Sequence, residues 1–248
     1  MNDTPLPADP PTRSPLAAWL VHLFTASGTV LAFLALQAAY DGDWARTLLW
    51  LLIALAVDGV DGTLARWAHV KTAAPRIDGE SLDLIVDYLN YVFVPAVLIW
   101  RAGLVPEALA APLAALILIS SLYNFTRRDM KTEDNYFRGF PALWNVVALY
   151  FFIARPDETI AALAICALAA LTFSSLPVVH PFRVRDYGRW LPLLAILWAF
   201  ATAALLWPEW SEGVRNALLA ASLTAAALLF LLGLVRAVRG ARSEKAGA

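Results

Sequence analysis

The sequence predicts an all-α polytopic membrane protein with about eight transmembrane helices. Three observations lead to this fold class. Hydrophobic residues make up 60% of the 248 residues and charged residues only 16%, which is too apolar for an ordinary soluble domain. Eight apolar runs approach the roughly 20 residues that a helix needs to cross a bilayer. Lysine and arginine residues are also concentrated in alternate connections between these runs.

Polar and helix-breaking residues separate the eight runs, as at Asp41-Gly42-Asp43 and Arg155-Pro156-Asp157. The fifth run is the shortest of the eight. The predicted spans are 16–40, 45–67, 79–100, 104–124, 138–154, 157–180, 190–207 and 213–236.

The basic residues predict the orientation of these spans. If the N-terminus is placed in the cytoplasm, 15 of the 19 lysine and arginine residues fall in cytoplasmic segments. The outer connections then hold the other four, which are Arg46, Arg101, Arg155 and Arg215. Because cytoplasmic loops carry an excess of lysine and arginine, this distribution predicts an even number of spans with both termini in the cytoplasm.

Four aspartates lie in two consecutive apolar runs, Asp58 and Asp61 in one and Asp83 and Asp87 in the next. Spacings of three and four residues place each pair on one helix face. A carboxylate at the centre of a membrane helix costs roughly 2.5–3.5 kcal/mol, and carboxylates that face one another cost more unless cations lie between them. Oxygen ligands favour Mg²⁺ or Mn²⁺ over zinc, so the four aspartates predict a site for two such ions.

Two other interpretations of the aspartates are open from the residues alone. They could form ion pairs between helices, although few basic residues lie at a matching depth. They could also line a proton or cation pathway. Gly62 and Gly79 would allow a ligand to approach the backbone closely, and Arg66 could meet a phosphate.

The same stretch resembles the signature of the CDP-alcohol phosphatidyltransferases. The pattern runs Asp58-x-x-Asp61-Gly62-x-x-Ala65-Arg66 and then Gly79-x-x-x-Asp83-x-x-x-Asp87, and all nine specified positions match. Twelve residues separate Arg66 from Gly79, a longer spacer than is usual in the family. That spacer and the stretch 131–141 resemble the bacterial branch of the family that uses choline as the acceptor alcohol. The stretch 22–28 falls where serine-using relatives often have the pattern Pro-Asn-x-x-Thr.

The resemblance implies an activity and residue roles. The phosphatidyl group of CDP-diacylglycerol would be transferred to choline, with release of CMP. Asp58, Asp61, Asp83 and Asp87 would bind two divalent ions, and Asp87 would also be the general base. The implied contacts to CDP-diacylglycerol are Gly62, Ala65, Arg66, Gly79, His22 and Thr25. A role in helix packing is the alternative for His22.

The acceptor alcohol is predicted from aromatic residues and from the resemblance together. Choline is a permanent cation, and each aromatic face around it is worth roughly 0.5–2 kcal/mol. The predicted choline contacts are Tyr91, Asn90, Tyr123, Asn124, Trp144 and Asn145, with ordinary packing as the alternative for each aromatic residue. Arg127, Arg128 and Arg138 could instead meet an anionic acceptor, so a serine-using member of the family is the rival. A cation transporter is the rival outside the family.

These expectations divide the chain into four parts. Residues 1–15 are predicted to be a disordered tail, 16–180 a six-helix catalytic core, 181–238 two further transmembrane helices, and 239–248 a basic tail. We expect a bacterial inner-membrane protein that contacts membrane lipids, has no nucleic-acid partner, and opens its site to the cytoplasm. Members of the family commonly pair as homodimers, although no pattern in this sequence indicates a dimer interface.

Overall fold

The computed structural model describes residues 14–207 and 209–246 and is almost entirely helical. The helices are α1 (Pro15–Tyr40), α2 (Trp44–Trp67), α3 (Val70–Ala73), α4 (Gly79–Tyr88), α5 (Val94–Arg101), α6 (Glu107–Thr126), α7 (Trp144–Ala154), α8 (Glu158–Thr172), α9 (Trp190–Ala204) and α10 (Glu212–Ala246). A π-helical turn, Leu89–Phe93, joins α4 to α5 into one continuous span, which we call the third span. Two short strands, β1 (Phe137–Arg138) and β2 (Pro177–Val178), pair antiparallel.

The predicted fold class is confirmed: the chain is an all-α polytopic membrane protein. Within the described residues, five helices are long and apolar enough to cross a membrane, and they are Pro15–Tyr40, Trp44–Trp67, Gly79–Arg101, Glu107–Thr126 and Glu212–Arg239. The other three predicted spans are also helices, but α7 has 11 residues and α8 and α9 have 15 each. They are therefore shorter than the sequence predicted.

The shortening has a backbone cause. The helix predicted from residue 138 begins only at Trp144, because Gly139 and Ala142 have φ angles of +76° and +59° and Pro141 lies between them. The run predicted to continue to residue 180 ends as a helix at Thr172. At the C-terminal end α10 continues to Ala246, and residues 1–13 of the predicted tail lie outside the described part of the chain.

Side-chain caps set the boundaries of the helices around the site. Gly42, at φ +77°, turns the chain between α1 and α2, and the Asp43 carboxylate accepts a hydrogen bond from the Arg46 amide at 3.0 Å. At the start of α4 the Asp78 carboxylate accepts a hydrogen bond from the Glu80 amide at 3.1 Å. Both aspartates satisfy amides that a helix N-terminus leaves without partners, so they fix where the two aspartate-bearing helices begin.

The main core lies among the third span, α6, α7 and α8. Its large, fully buried side chains include Leu98, Ile117, Trp144 and Ile165. Other large apolar side chains point outward on the same helices and on α1 and α9, among them Leu23, Phe33, Ile119, Leu163 and Phe200. Apolar surface on this scale suits contact with lipid tails.

Proline accounts for the π-helical turn in the third span. Pro95 has no amide hydrogen, and its ring crowds the carbonyl group four residues earlier, at Tyr91. The wider turn at Leu89–Phe93 relieves this conflict, and it places Asn90 and Tyr91 in the interior beside α1 and α2.

Candidate active site

Three of the four predicted aspartates converge between α2 and α4. Asp58, Asp83 and Asp87 each offer a carboxylate oxygen, and these three oxygens lie within 4.8 Å of one another. The side chains are half-buried. We call Asp58, Asp83 and Asp87 the three-carboxylate group. Asp83 and Asp87 are one helical turn apart on α4, so the i, i+4 spacing read from the sequence produces this convergence.

The fourth aspartate, Asp61, lies outside the three-carboxylate group. It is buried, and its carboxylate accepts a hydrogen bond from the Thr25 hydroxyl of α1 at 2.9 Å. Asp61 nevertheless lines the same cavity as Asp58 and Asp87, together with Thr25 and Gly28. The role of Asp61 as a metal ligand stays a prediction. Thr25, which was predicted to contact CDP-diacylglycerol, contacts the Asp61 carboxylate.

Two residues of the π-helical turn hold the cavity wall in place. The Tyr91 hydroxyl donates a hydrogen bond to Asp58 Oδ2 at 2.5 Å. The Asn90 side-chain amide donates to the carbonyl oxygens of Gly28 and Val86, at 2.9 and 3.0 Å. Both side chains are buried and line the cavity, so the turn connects α1, α2 and the third span at the site.

The donor set fits a hard divalent cation. The three-carboxylate group supplies only oxygen atoms, which Mg²⁺ and Mn²⁺ prefer. Among the described ion pairs of at most 4.0 Å, none involves Asp58, Asp83 or Asp87. The alternative in which these carboxylates form ion pairs between helices is therefore not supported.

Predicted contacts to the donor substrate surround the start of α4. A side chain at Gly79 would approach the His22 ring to 3.1 Å, and His22 Nε2 is buried without a hydrogen-bond partner. Arg66 is exposed and donates to the Thr63 hydroxyl at 3.0 Å, near Gly62 on the same helix. The half-buried Ala65 lies next to Arg66 on α2.

The predicted choline contacts are not all in one place. Tyr91 and Asn90 line the cavity beside Asp58, as described above. Trp144 is fully buried in the main core and donates to the Ser121 hydroxyl at 2.8 Å, while Asn145 lines a second cavity between α2, α7 and α9.

The other two predicted choline contacts lie on α6. The centroids of the Tyr123 and Phe173 rings lie 4.7 Å apart, and the Arg127 guanidinium carbon lies 5.6 Å from the centroid of the Tyr123 ring. Asn124 is buried, with its Oδ1 unpaired. The structure thus brings only Tyr91 and Asn90 of the six to the cavity beside Asp58.

Two loops add positive charge near the acidic residues. Burial and the charge of Arg183 lower the pKa of the Lys131 ammonium, whereas Asp83, Asp87 and Asp58 act in the opposite direction. The charge of Lys131 therefore interacts with all three carboxylates, although no described ion pair of at most 4.0 Å joins them. The sequence predicted Lys131 and Arg183 as basic residues of cytoplasmic loops, and Lys131 also begins the stretch 131–141 that carries the family resemblance. Neither residue was predicted as part of the site.

Comparison with known proteins assigns the family. A family described as CDP-alcohol phosphatidyltransferase matches residues 15–174. The chain belongs to this family. The match covers α1 to α8 and includes every aspartate of the CDP-alcohol phosphatidyltransferase signature, whereas α9 and α10 lie beyond it.

Several similar proteins are named phosphatidylcholine synthase. The protein from Pseudomonas aeruginosa is 46% identical over 189 residues, which cover 76% of this chain and 79% of that protein. The protein from Mesorhizobium japonicum is 39% identical over 202 residues, 81% of this chain and 75% of that protein. The protein from Bradyrhizobium diazoefficiens is 43% identical over 184 residues, 74% of this chain and 68% of that protein.

Proposed function

We propose that the protein is a transferase that moves the phosphatidyl group of CDP-diacylglycerol to choline and releases CMP. The convergence of Asp58, Asp83 and Asp87 within the family signature is the observation that carries this proposal. The similarity to phosphatidylcholine synthases supports choline as the acceptor. In the reaction, the choline oxygen forms a bond to the phosphorus of the phosphatidyl group while the bond from that phosphorus to the CMP oxygen breaks.

Asp87 is the proposed general base. Its carboxylate accepts the proton of the choline hydroxyl as the oxygen attacks, and CMP leaves as an anion. Asp87 lies one helical turn from Asp83 and within 4.8 Å of the other two carboxylates, so its free oxygen can reach a hydroxyl group that attacks a phosphorus held at this group.

The three-carboxylate group is proposed to hold the divalent cation, with Asp61 contributing to a second ion. A bound Mg²⁺ or Mn²⁺ would neutralise the charge of the diphosphate and make the phosphorus more electrophilic. The Tyr91 hydroxyl restricts the orientation of the Asp58 carboxylate, and the Thr25 hydroxyl does the same for Asp61.

We propose separate sets of contacts for the two substrates, CDP-diacylglycerol and choline. Gly62, Ala65, Arg66, Gly79, His22 and Thr25 are the proposed contacts to CDP-diacylglycerol. The unpaired His22 Nε2 beside Gly79 is consistent with a hydrogen bond to the nucleotide. The ring of Tyr91 offers an aromatic face to the choline cation, and Asn90 lies beside it in the same cavity. Contacts of choline with Tyr123, Asn124, Trp144 and Asn145, which lie away from this cavity, stay predictions.

The site is proposed to open to the cytoplasm of a bacterial inner membrane, where choline and CMP are soluble. The distribution of lysine and arginine supports this orientation with both termini inside. CDP-diacylglycerol would then enter from the surrounding lipid. We propose a homodimer only because members of the family commonly form one.

Purified protein, CDP-diacylglycerol and a panel of alcohols test the proposal. We expect CMP and phosphatidylcholine with choline, no product with serine, and loss of activity in chelator that added Mg²⁺ or Mn²⁺ reverses. CMP formation with serine but not choline would overturn the choice of acceptor in favour of a phosphatidylserine synthase. Ion flux in proteoliposomes without any CMP formation would support the cation transporter instead.

A further inference from the structure

The C-terminal helix contacts the loop between α6 and α7 through an ion pair. The Arg236 guanidinium donates to Asp134 Oδ2 from Nε at 3.0 Å and from Nη2 at 2.9 Å. The guanidinium carbon also lies 5.6 Å from the centroid of the Tyr136 ring. Burial opposes the ionised form of Asp134, but hydrogen bonds from Thr132 and Arg236 lower its pKa below the usual value. The Asp134 carboxylate is therefore ionised at neutral pH.

The loop between α8 and α9 contacts the same face of α10. The Tyr187 hydroxyl donates to the Leu232 carbonyl oxygen at 3.2 Å. A side chain at Gly233 would overlap the Pro177 carbonyl group, so only glycine allows this approach. Leu232, Gly233 and Arg236 follow a spacing of one and three residues, which places them on one side of the helix. One face of α10 thus contacts both loops.

The two loops are also joined to each other. Strand β1 of the α6–α7 loop pairs with strand β2 of the α8–α9 loop. The buried Tyr136 donates its hydroxyl hydrogen to Asp186 at 2.9 Å. The His180 ring stacks on Phe137, with centroids 5.2 Å apart and planes inclined by 8°. The loops and α10 therefore form one packed unit.

This packed unit carries Lys131, whose charge interacts with those of Asp83, Asp87 and Asp58. The Lys131 ammonium lies 5.1 Å from the centroid of Phe137, the same ring that His180 stacks upon. Lys131 precedes Asp134 by three residues, and the Thr132 hydroxyl donates to the Asp134 carboxylate at 2.5 Å. The position of Lys131 thus depends on the short segment that Arg236 holds.

We infer that α10 is part of the functional unit, with Arg236 as a positioning residue that acts through the α6–α7 loop to hold Lys131 within electrostatic range of the three-carboxylate group. This inference rests on the proposed function and adds to it that Lys131 contacts the anionic diphosphate of the donor. A cation there offsets the repulsion between the diphosphate and the carboxylates. Loss of the Arg236 contact should therefore weaken binding of CDP-diacylglycerol more than binding of choline.

Steady-state kinetics on the full chain test the inference. We expect Arg236→Glu to raise the KM for CDP-diacylglycerol about tenfold, with little change in the KM for choline. Exchange of the two charges in Arg236→Glu/Asp134→Arg should restore most of that KM. Arg239→Glu is the matched control, because Arg239 is exposed one turn further along α10 and carries the same charge.

A second variant separates positioning from simple stabilisation. Lys131→Met should raise the same KM, and Arg236→Glu/Lys131→Met should raise it no further, because both changes remove one interaction. Additive effects, or a lower unfolding temperature with an unchanged KM, would overturn the inference. If Arg236→Glu does not fold, the milder Asp134→Asn replaces it in the single and double variants with Lys131→Met, with the same expected outcome. Wild-type protein that forms no CMP with choline would instead contradict the proposed function.

Discussion

The hydroxyl of Tyr91 donates a 2.5 Å hydrogen bond to Asp58, and it joins the π-helical turn to the α2 carboxylate that belongs to the three-carboxylate group. Outer-shell partners of this kind orient metal ligands, and their loss typically costs 10- to 100-fold in metal affinity or activity. We therefore expect Tyr91→Phe to raise the Mn²⁺ or Mg²⁺ concentration needed for half-maximal activity by about tenfold. Titration of the metal at saturating substrates measures this shift.

The phenylalanine variant also separates two roles of Tyr91, because it keeps the aromatic face proposed to meet choline. The KM for choline should therefore stay nearly constant. Tyr88→Phe is the matched control, since the Tyr88 hydroxyl donates to the Leu118 carbonyl oxygen at 3.0 Å. A raised choline KM with unchanged metal dependence in Tyr91→Phe would show that the hydroxyl contacts choline and does not position Asp58.

Replacement of the proposed base gives a second prediction. Asp87→Asn keeps the shape of the side chain but removes its ability to accept a proton, so turnover should fall by roughly 10²- to 10⁴-fold. The unfolding temperature in detergent should stay near that of the wild type. Glu80→Gln, an exposed carboxylate on the same helix, should leave turnover unchanged. Recovery of Asp87→Asn activity by excess Mn²⁺ would indicate that Asp87 is only a metal ligand.

The sequence predicted the starts of the first three spans accurately. The starts of α1, α2 and the third span were predicted to within one residue, because caps and turns such as Asp43 and Asp78 mark them. The start of α7 and the end of α8 were predicted less accurately, by six and eight residues. An apolar run can include a turn at Ala142 or a strand at Val178, since hydropathy measures burial in lipid or protein and not backbone conformation.

The candidate site was also predicted from the sequence only in part. Helical spacing was sufficient to predict that Asp58, Asp83 and Asp87 converge. It could not predict that Asp61 would turn towards Thr25 on α1, because that depends on how two helices pack. The contact of Tyr91 with Asp58 depends on the π-helical turn, which shifts the register of the third span.

Close packing at Gly28 gives a third prediction. A side chain at Gly28 of α1 would overlap Val86 of α4, and the Gly28 carbonyl oxygen accepts the hydrogen bond from Asn90. Gly28→Ala should therefore destabilise the protein by about 1–3 kcal/mol, the usual range for overpacking. Thermal unfolding in detergent measures the loss. Val86→Ala should restore most of it in the double variant, because the overlapping methyl group is absent.

The control for Gly28→Ala is Gly59→Ala, since a side chain at Gly59 would meet no atom within 4 Å. That variant should unfold at or slightly above the wild-type temperature, because alanine favours the helix. Equal losses in Gly28→Ala with and without Val86→Ala would mean that the overlap with Val86 is not the cause.

His180 lies outside the helices, in an environment that disfavours its protonated form. Burial, followed by the positive charges of Lys131 and Arg183, lowers the pKa of His180 to about 3. Its Nδ1 accepts a hydrogen bond from the Phe182 amide at 3.4 Å, which also requires an unprotonated nitrogen. The folded protein therefore keeps His180 neutral across the physiological range.

This pKa predicts how acid affects stability. In the unfolded chain His180 gains a proton as the pH falls through about 6.5, whereas in the folded chain it gains one only near pH 3. Protonation below pH 6.5 therefore stabilises the unfolded chain, so the free energy of unfolding is unaffected by His180 above pH 6.5 and decreases below it. Between pH 7.5 and 5.5 the loss is about 1 kcal/mol. His180→Gln should therefore show a smaller drop in unfolding temperature than the wild type over this interval, while His69→Asn, at an exposed histidine, should not differ from it. The same drop in wild type and His180→Gln would contradict the prediction.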